Sequence, residues 1–566
     1  MTKANGGSVQ KLDPLTSLRF IAASMVIAYH GKGHFAIFDN CPERLAYTQP
    51  VCFFFILSGF ILSYVHRDIS TLALKKDCWI KRIARIWPLH MVVNILRLFL
   101  FPKYLLTFPG PANSTLVMLT NIFMLHAWVP LFQFFFSYNA PSWSISTEFF
   151  FYLCFPFILP LVVKRPILST VAAFAILFVF GATCNYFHLP EINEQGIDMR
   201  GILYIFPLPR IFEFVAGMAM ARLYISRGEK WKLGLWQATI AEIFAVILTC
   251  VLMIWTRPLA AIIAEHTFTG EAGRYWLINT GVPMLGFCLV IFLMAKVSGL
   301  ISKLIALPFF VLLGELSYSI YLLHHPLLCF HGLYFSQYRS TEAFILFSAV
   351  MLVLSHFCFK YLEAPIRRFM ISEGTKRFNP EFAKPTKWNF SKKGLIAPLA
   401  ELALLAVICL FAFPGLPSIS AEKMNALALS GQKLVQNVEF DQNMKLAAVL
   451  ADTKDPAKIV FLWQALKDFK AIQFLNIQYL DGAGEQIFTQ VVRVAPGEPK
   501  IKEGTCWKED IDLYPKYVAK ADKLALVIYE SATTIKNVSL KGEEASFANP
   551  VIVDQGGKRL VFALKK

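Results

Sequence analysis

The chain has 566 residues, 56% of them hydrophobic and only 16% charged, with a mean hydropathy of +0.52. That balance excludes a disordered or an ordinary soluble protein, and 52 Phe, 19 Tyr and 11 Trp suit the aromatic belts of an integral membrane protein. Residues 415–566 hold 20 Lys/Arg against 18 Asp/Glu, so the net charge of +17 sits almost wholly in the apolar part. Such a pattern points to cytoplasmic loops and not to a nucleic-acid surface. The 11 cysteines are scattered without CxxC or zinc-type Cys/His spacing, which implies neither a disulfide framework nor a metal site.

Crossing about 30 Å of hydrocarbon takes roughly 20 apolar residues. After a polar start, Met1–Asp13, such runs fall near 15–34, 50–66, 82–101, 145–163, 167–187, 203–224, 237–256, 276–296, 304–328, 341–362 and 395–414. The first has no small-residue cleavage site and is read as a retained span. The region 114–137 is ambiguous, because its apolar run, Leu116 to Trp128, is short and Pro130 follows. Basic clusters lie at Lys75–Arg85, Lys164–Arg165, Arg222–Lys232, Lys296–Lys303 and 360–394. All five reach the cytoplasmic side only if 114–137 dips in and returns. The fold class expected is a multi-span α-helical membrane domain of about 11 crossings plus a re-entrant segment, with a C-terminal extracytoplasmic β-rich domain. Its parts are 1–370 for the main transmembrane domain, 371–394 for a basic cytoplasmic linker, 395–414 for an additional span and 415–566 for the soluble tail. In the tail, Ala421 to about Ala451 is expected to be an amphipathic helix. Ile472–Leu480, Lys523–Tyr529, Val551–Val553 and Arg559–Leu564 are expected strands of a sandwich-like domain.

Ionisable groups within spans cost several kcal/mol by insertion scales and are functional candidates by default. Arg19 and His30 are eleven residues apart, close to three helical turns, so they share one face of the first span. Ser58 and Gly59 allow close helix approach and suggest packing. Arg82 and Arg85, at i and i+3 where the third span starts, could clamp phosphates bidentately or simply anchor the helix. Glu148 lies inside the fourth span with Ser144 and Tyr152 one turn away on either side, both able to hydrogen-bond it. Ser317, Tyr321 and His324 follow at i, i+4 and i+7 on one face of the ninth span.

Five segments occur together in order: Arg19 to His30, FFFILSGF at 53–60, RIARIWP at 82–88, WSISTEFFFY at 143–152 and GELSYSIYLLHHP at 314–326. In this the chain resembles the acyltransferase-3 family, membrane O-acyltransferases that modify surface carbohydrates and lipids, over roughly residues 12–370. The resemblance implies that His30 is the essential histidine, Arg19 its partner, Arg82 and Arg85 the donor-site arginines, Glu148 the span glutamate and His324 the histidine before the family's proline. Arg210 and Glu213 resemble a further family segment, and Arg210, Tyr321 and Ser317 are taken as substrate-binding. His325 departs from the family, which often has an aromatic residue there. Some relatives append a hydrolase-like domain using Ser, Asp and His. Residues 415–566 contain no histidine, so a Ser-His pair cannot form within them, and the tail is read as carbohydrate-binding or acceptor-positioning.

The expected reaction moves an acyl group, acetyl by expectation, from cytoplasmic acyl-coenzyme A to a hydroxyl of an extracytoplasmic glycan such as lipopolysaccharide, capsule or exopolysaccharide. His30 would be the base, Glu148 would orient or stabilise the imidazolium, and Arg19, Arg82 and Arg85 would hold the donor phosphates. No permanently bound cofactor is expected. The partners would be membrane lipid, acyl-coenzyme A and a glycan or lipid-linked glycan, in a bacterial inner membrane. The competing class is a transporter or flippase of a lipid-linked sugar; it predicts internal pseudo-repeats and helices broken at matching places, and neither is evident in the sequence.

Overall fold

The computed structural model describes residues 11–380, apart from 33, 39–48, 101–113, 194–195, 267–269 and 336–337, and the strands with some adjoining residues in 432–563. The first part is helical: α1 (Asp13–His30), α2 (Pro50–Val65), α3 (Leu72–Leu100), α4 (Ser114–Ile122), α5 (Trp143–Lys164), α6 (Pro166–Tyr186), α7 (Pro207–Ser226), α8 (Leu235–Ile254), α9 (Thr256–Glu265), α10 (Gly270–Trp276), α11 (Met284–Met294), α12 (Leu300–Ile305), α13 (Pro308–Tyr334), α14 (Thr341–Phe357) and α15 (Ala364–Phe378). Among the described residues, six helices are long and apolar enough to cross a membrane. Their outward faces are apolar too: Ile167, Val171, Phe174 and Phe178 on α6, and Ile240, Phe244, Ile247 and Val251 on α8, are all exposed. A helix apolar on every side is at home only in protein interior or lipid, and these features mark a membrane domain.

Two helix crossings set the geometry of the centre. Where α2 meets α7, a Cβ on Gly59 would stand 2.0 Å from the Phe214 carbonyl oxygen, and a Cβ on Gly217 would stand 2.0 Å from that of Ile56. Where α1 meets α13, a Cβ on Gly314 would stand 2.1 Å from the Thr16 carbonyl oxygen. Small residues at these points let backbones touch, the usual basis of helix packing in lipid.

The segment expected to be re-entrant holds the nine residues of α4 and single helical turns at His126–Trp128 and Phe132–Phe135; α4, the longest of them, rises about 13 Å and is too short to cross. The chain after it is irregular and well anchored. Asn121 Nδ2 donates to Ser137 Oγ at 2.7 Å, and Asn139 Nδ2 donates to the Leu322 carbonyl of α13 at 3.0 Å. Non-helical backbone is tolerated at membrane depth where protein surrounds it, and Asn121, His126, Ser137, Asn139 and Ser142 are all buried.

The helix at the expected third span begins earlier than the sequence suggests. α3 starts at Leu72, so Arg82 and Arg85 lie well inside a 29-residue helix and not at its entrance. The linker's first residues, to Phe378, continue α15; the span expected at 395–414 lies outside the described residues.

Beyond 431 the described elements are strands. Val538–Leu540, Gln432–Phe440, Met444–Ala451, Lys458–Ala465 and Cys506–Asp512 lie side by side in one sheet; Val551–Asp554, Arg559–Ala563, Lys523–Ser531, Gln473–Leu480 and Gln486–Val494 do so in another. The helix expected up to Ala451 is therefore replaced, over 432–451, by an antiparallel pair of strands. A β-bulge between Leu446 and Ala448 accounts for the misreading. It converts the period-two burial of Met444 and Leu446 into burial of Leu446, Val449 and Leu450, and i, i+3, i+4 spacing mimics a helix.

Candidate active site

α13 carries the centre of the site along one face. Ser317 and Tyr321 line a cavity of ≈ 490 Å³ together with Arg19, Ser58, Arg82, Arg85, Ser144, Glu148 and Tyr152, within the size range of small-molecule sites. Tyr321 OH lies 2.8 Å from Ser144 Oγ and donates to the Pro141 carbonyl at 3.2 Å. One turn further, the His324 ring lies 5.6 Å from that of Tyr321 and meets His30, whose Nδ1 is 2.9 Å from His324 Nε2. The face read from the i, i+4, i+7 spacing thus runs from the cavity to a histidine pair.

The partners fix how that pair carries its protons. His324 Nδ1 lies 2.5 Å from the Tyr321 carbonyl oxygen, which can only accept, so Nδ1 bears the hydrogen. In a neutral ring Nε2 then holds a lone pair and accepts from His30 Nδ1–H. The nitrogen of His30 left with a lone pair is Nε2. His324 thereby sets the tautomer of His30 and presents a proton acceptor, the task a buried carboxylate performs in a serine-protease triad.

The arginines form a separate centre. Arg19 on α1 lies within electrostatic reach of Arg85, Glu148 and Glu363. Arg82 stands with its guanidinium carbon 5.9 Å from the centre of the Tyr152 ring, and its Nε is buried with no hydrogen-bond partner among the described residues. Three guanidiniums around one cavity, one with an orphaned donor, suit an anion such as phosphate.

Glu148 belongs with these arginines. Its Oε1 accepts from Ser58 Oγ at 3.0 Å and from Tyr152 OH by a shorter bond, and it lines the arginine cavity. That places it as a counter-charge to the cations and departs from the role of imidazolium partner expected from sequence. Ser144, expected beside Glu148, instead donates to the Pro141 carbonyl at 3.0 Å. Ser317 Oγ back-bonds to Gly314 O at 2.7 Å.

Arg210 is not brought to this cavity. It is fully buried on α7, 3.1 Å from Glu213, with Nη1 donating to Thr280 Oγ1 at 3.1 Å and its charge over the Phe55 and Tyr204 rings. A buried pair of this kind joins α7 to its neighbours, away from the cavity that Ser317 and Tyr321 line.

One residue was missed. Glu363 closes a π-helical turn, Cys358–Glu363, between α14 and α15; such turns often mark functional sites. It accepts from Ser319 Oγ at 3.1 Å, pairs with Arg367 at 3.5 Å and lies within electrostatic reach of Arg85. Its sequence signal, a carboxylate next to an apolar run and two residues before Pro365, was absorbed into the basic cluster 360–394.

A family model described as an acyltransferase domain, that of the acyltransferase-3 family, matches residues 14–359. Acyltransferase MdmB of Streptomyces mycarofaciens is 30% identical over 228 residues, 38% of this chain and 57% of that protein. Peptidoglycan O-acetyltransferase OatA of Listeria monocytogenes is 24% identical over 446 residues, 73% of this chain and 64% of that protein. O-acetyltransferase OatA of Staphylococcus aureus is 22% identical over 418 residues, covering 69% and 62%. The chain thus spans less than two thirds of the length of these relatives. Among solved structures, Pseudomonas fluorescens alkylpurine DNA glycosylase AlkC aligns at 12% identity over 56% of this chain and 84% of that one, with a TM-score of 0.14, too low to carry any likeness of fold. With the family match covering α1 to α14, the histidine pair and the three cavity arginines, the chain belongs to the acyltransferase-3 family of acyltransferase domains.

Proposed function

We propose that this protein is a membrane O-acyltransferase that moves an acetyl group from acetyl-coenzyme A to a hydroxyl of an extracytoplasmic glycan in a bacterial inner membrane. Lipopolysaccharide, capsule and exopolysaccharide are the acceptor classes. The observation that carries the reading is the pairing of an acceptor nitrogen on His30 with a cavity bearing three arginines, both joined to one face of α13. Arg19, Arg82 and Arg85 bind the phosphates of the donor from the cytoplasmic side, with Glu148 and Glu363 as counter-charges. His30 Nε2 takes the proton of the acceptor hydroxyl, and that oxygen bonds to the thioester carbonyl carbon. The carbon–sulfur bond then breaks and the departing thiolate takes the proton from His30. The balance is ester plus coenzyme A thiol from thioester plus alcohol, with no net proton released.

Eleven crossings, an inward basic segment at 360–394 that contains α15, and an outward β-rich tail complete the proposal. The test is a transfer assay on full-length protein in lipid nanodiscs, with acetyl-labelled acetyl-coenzyme A and purified glycans of the three classes. Label on a glycan hydroxyl, lost in His30→Ala that still binds donor, is the expected result; a His30→Ala variant with ordinary turnover would sink it.

A further inference from the structure

His325 stands next to the pair just described, on the same helix, yet its hydrogen bonding is of the opposite kind. Its Nδ1 lies 2.8 Å from Nη1 of Arg97, near the end of α3, and Arg97 is 8% exposed. A guanidinium has donors only and stays charged in proteins, so Nδ1 of His325 is the acceptor and the ring hydrogen sits on Nε2. Cys329 Sγ, 3.7 Å from both groups, is a weaker companion to the same contact. The His325 ring lies edge-on to that of His30, with centres 5.9 Å apart and planes at 80°. Two neighbouring imidazoles are thus held in complementary forms: His30 with a lone pair on Nε2, His325 with a hydrogen on Nε2. A buried cation polarises the second ring and strengthens it as a donor.

Acyl transfer needs both functions. The base removes a proton while negative charge gathers on the thioester oxygen, and a fixed donor at that oxygen contributes through the transition state alone. We propose that His325 Nε2–H is that donor, a catalytic residue for the oxyanion, and that Arg97 is a positioning residue that locks His325 in the donor tautomer. The inference rests on the acyltransferase reading above and deepens it. It also means that His325 cannot replace His324 or His30, since neither of its nitrogens offers a lone pair to a substrate.

The experiment uses the full-length chain in nanodiscs, with kcat and donor KM measured separately and folded protein counted by gel filtration. Removing one oxyanion donor typically lowers kcat about 10²–10³-fold. His325→Phe, which keeps a planar ring without a donor, is expected to show that loss with donor KM little changed. His325→Gln, whose amide restores an N–H, is expected to recover part of it. Arg97→Ala should lower kcat in the same way and add little to the loss in the double variant with His325→Phe, while Arg97→Lys should rescue part of it. A merely structural role would reduce folded protein and spare the kcat of what remains. Independently of turnover, ¹⁵N-histidine spectra should show His325 as the Nε2–H form in the parent and lose that signature in Arg97→Ala. A His325→Phe kcat within about threefold of the parent, additive losses, or an Nδ1–H form in the parent each overturn the proposal. If the parent itself transfers no label, the acyltransferase reading fails, and the spectra still decide the tautomer.

Discussion

Individual side chains divide the site into two centres with separable effects. Arg85→Lys keeps the charge of a cavity-lining residue but removes the planar fork. Each charge-assisted contact to phosphate contributes about 1.5–3 kcal/mol, so both Arg85→Lys and Arg85→Ala should weaken acetyl-coenzyme A binding roughly ten- to a hundredfold, with acceptor KM unchanged. Equilibrium binding of labelled donor checks this, and unchanged affinity in both variants would return Arg85 to an anchoring role. At the other centre, His324→Ala leaves His30 Nδ1–H without its acceptor. It should lower kcat by about 10²-fold or more and leave donor affinity intact; a fall in donor affinity alone would contradict the separation. The sequence made much of this visible. The i, i+4, i+7 rule placed Ser317, Tyr321 and His324 on one face because helix geometry is local. It named Tyr152 as a partner for Glu148, but it could not say that Ser58 and the arginines would be the others, because that depends on how α2, α3 and α5 approach one another. For the same reason the contact between His30 and His324, 294 residues apart, had no local signal.

Helices are held by contacts that leave no room for a methyl group. Gly59 and Gly217 each face the other helix's backbone at 2.0 Å from where a Cβ would stand, so alanine at either forces α2 and α7 apart. Overpacking of this kind costs about 1–3 kcal/mol. Gly59→Ala and Gly217→Ala should lower the thermal midpoint in detergent, and the pair should be less than additive because both relieve the same crossing. Gly181→Ala on α6 is the control, since nothing lies within 4 Å of its Cβ position, and alanine there should be neutral or slightly stabilising. Equal midpoints in all three variants would remove the crossing from the account of stability. The motif around Ser58-Gly59 was legible as packing. Its second function, the Ser58 hydroxyl bonded to Glu148, was not, because a serine in an apolar run looks the same in either role. Strand 444–451 shows the opposite failure: one bulged residue was enough to turn a strand's periodicity into a helix's.

The whole chain joins a family-matched part, 14–359, to a tail whose strands lie beyond it. Every residue in the histidine pair and the arginine cavity comes from positions 11–324, and 415–566 supply no histidine. Donor activation should therefore not require the tail. A glycan, in contrast, is long and flexible, and a second surface that holds it raises its effective concentration at His30 without altering the chemistry. Deleting 415–566 should leave hydrolysis of the donor thioester by the inserted protein, with water in place of the glycan hydroxyl, within about twofold, while acceptor transfer falls about tenfold or more through KM, as lost effective concentration predicts. Saturating glycan should restore the truncated protein toward the parent's rate. Reporter fusions test orientation: a reporter active only in the cytoplasm, fused after Lys566 in the full chain, should be silent, and fused within 381–394 it should be active. Complete loss of thioester cleavage in a properly inserted truncation would mean that the tail helps build the catalytic centre, and the division between chemistry in the helices and acceptor capture outside them would have to be abandoned.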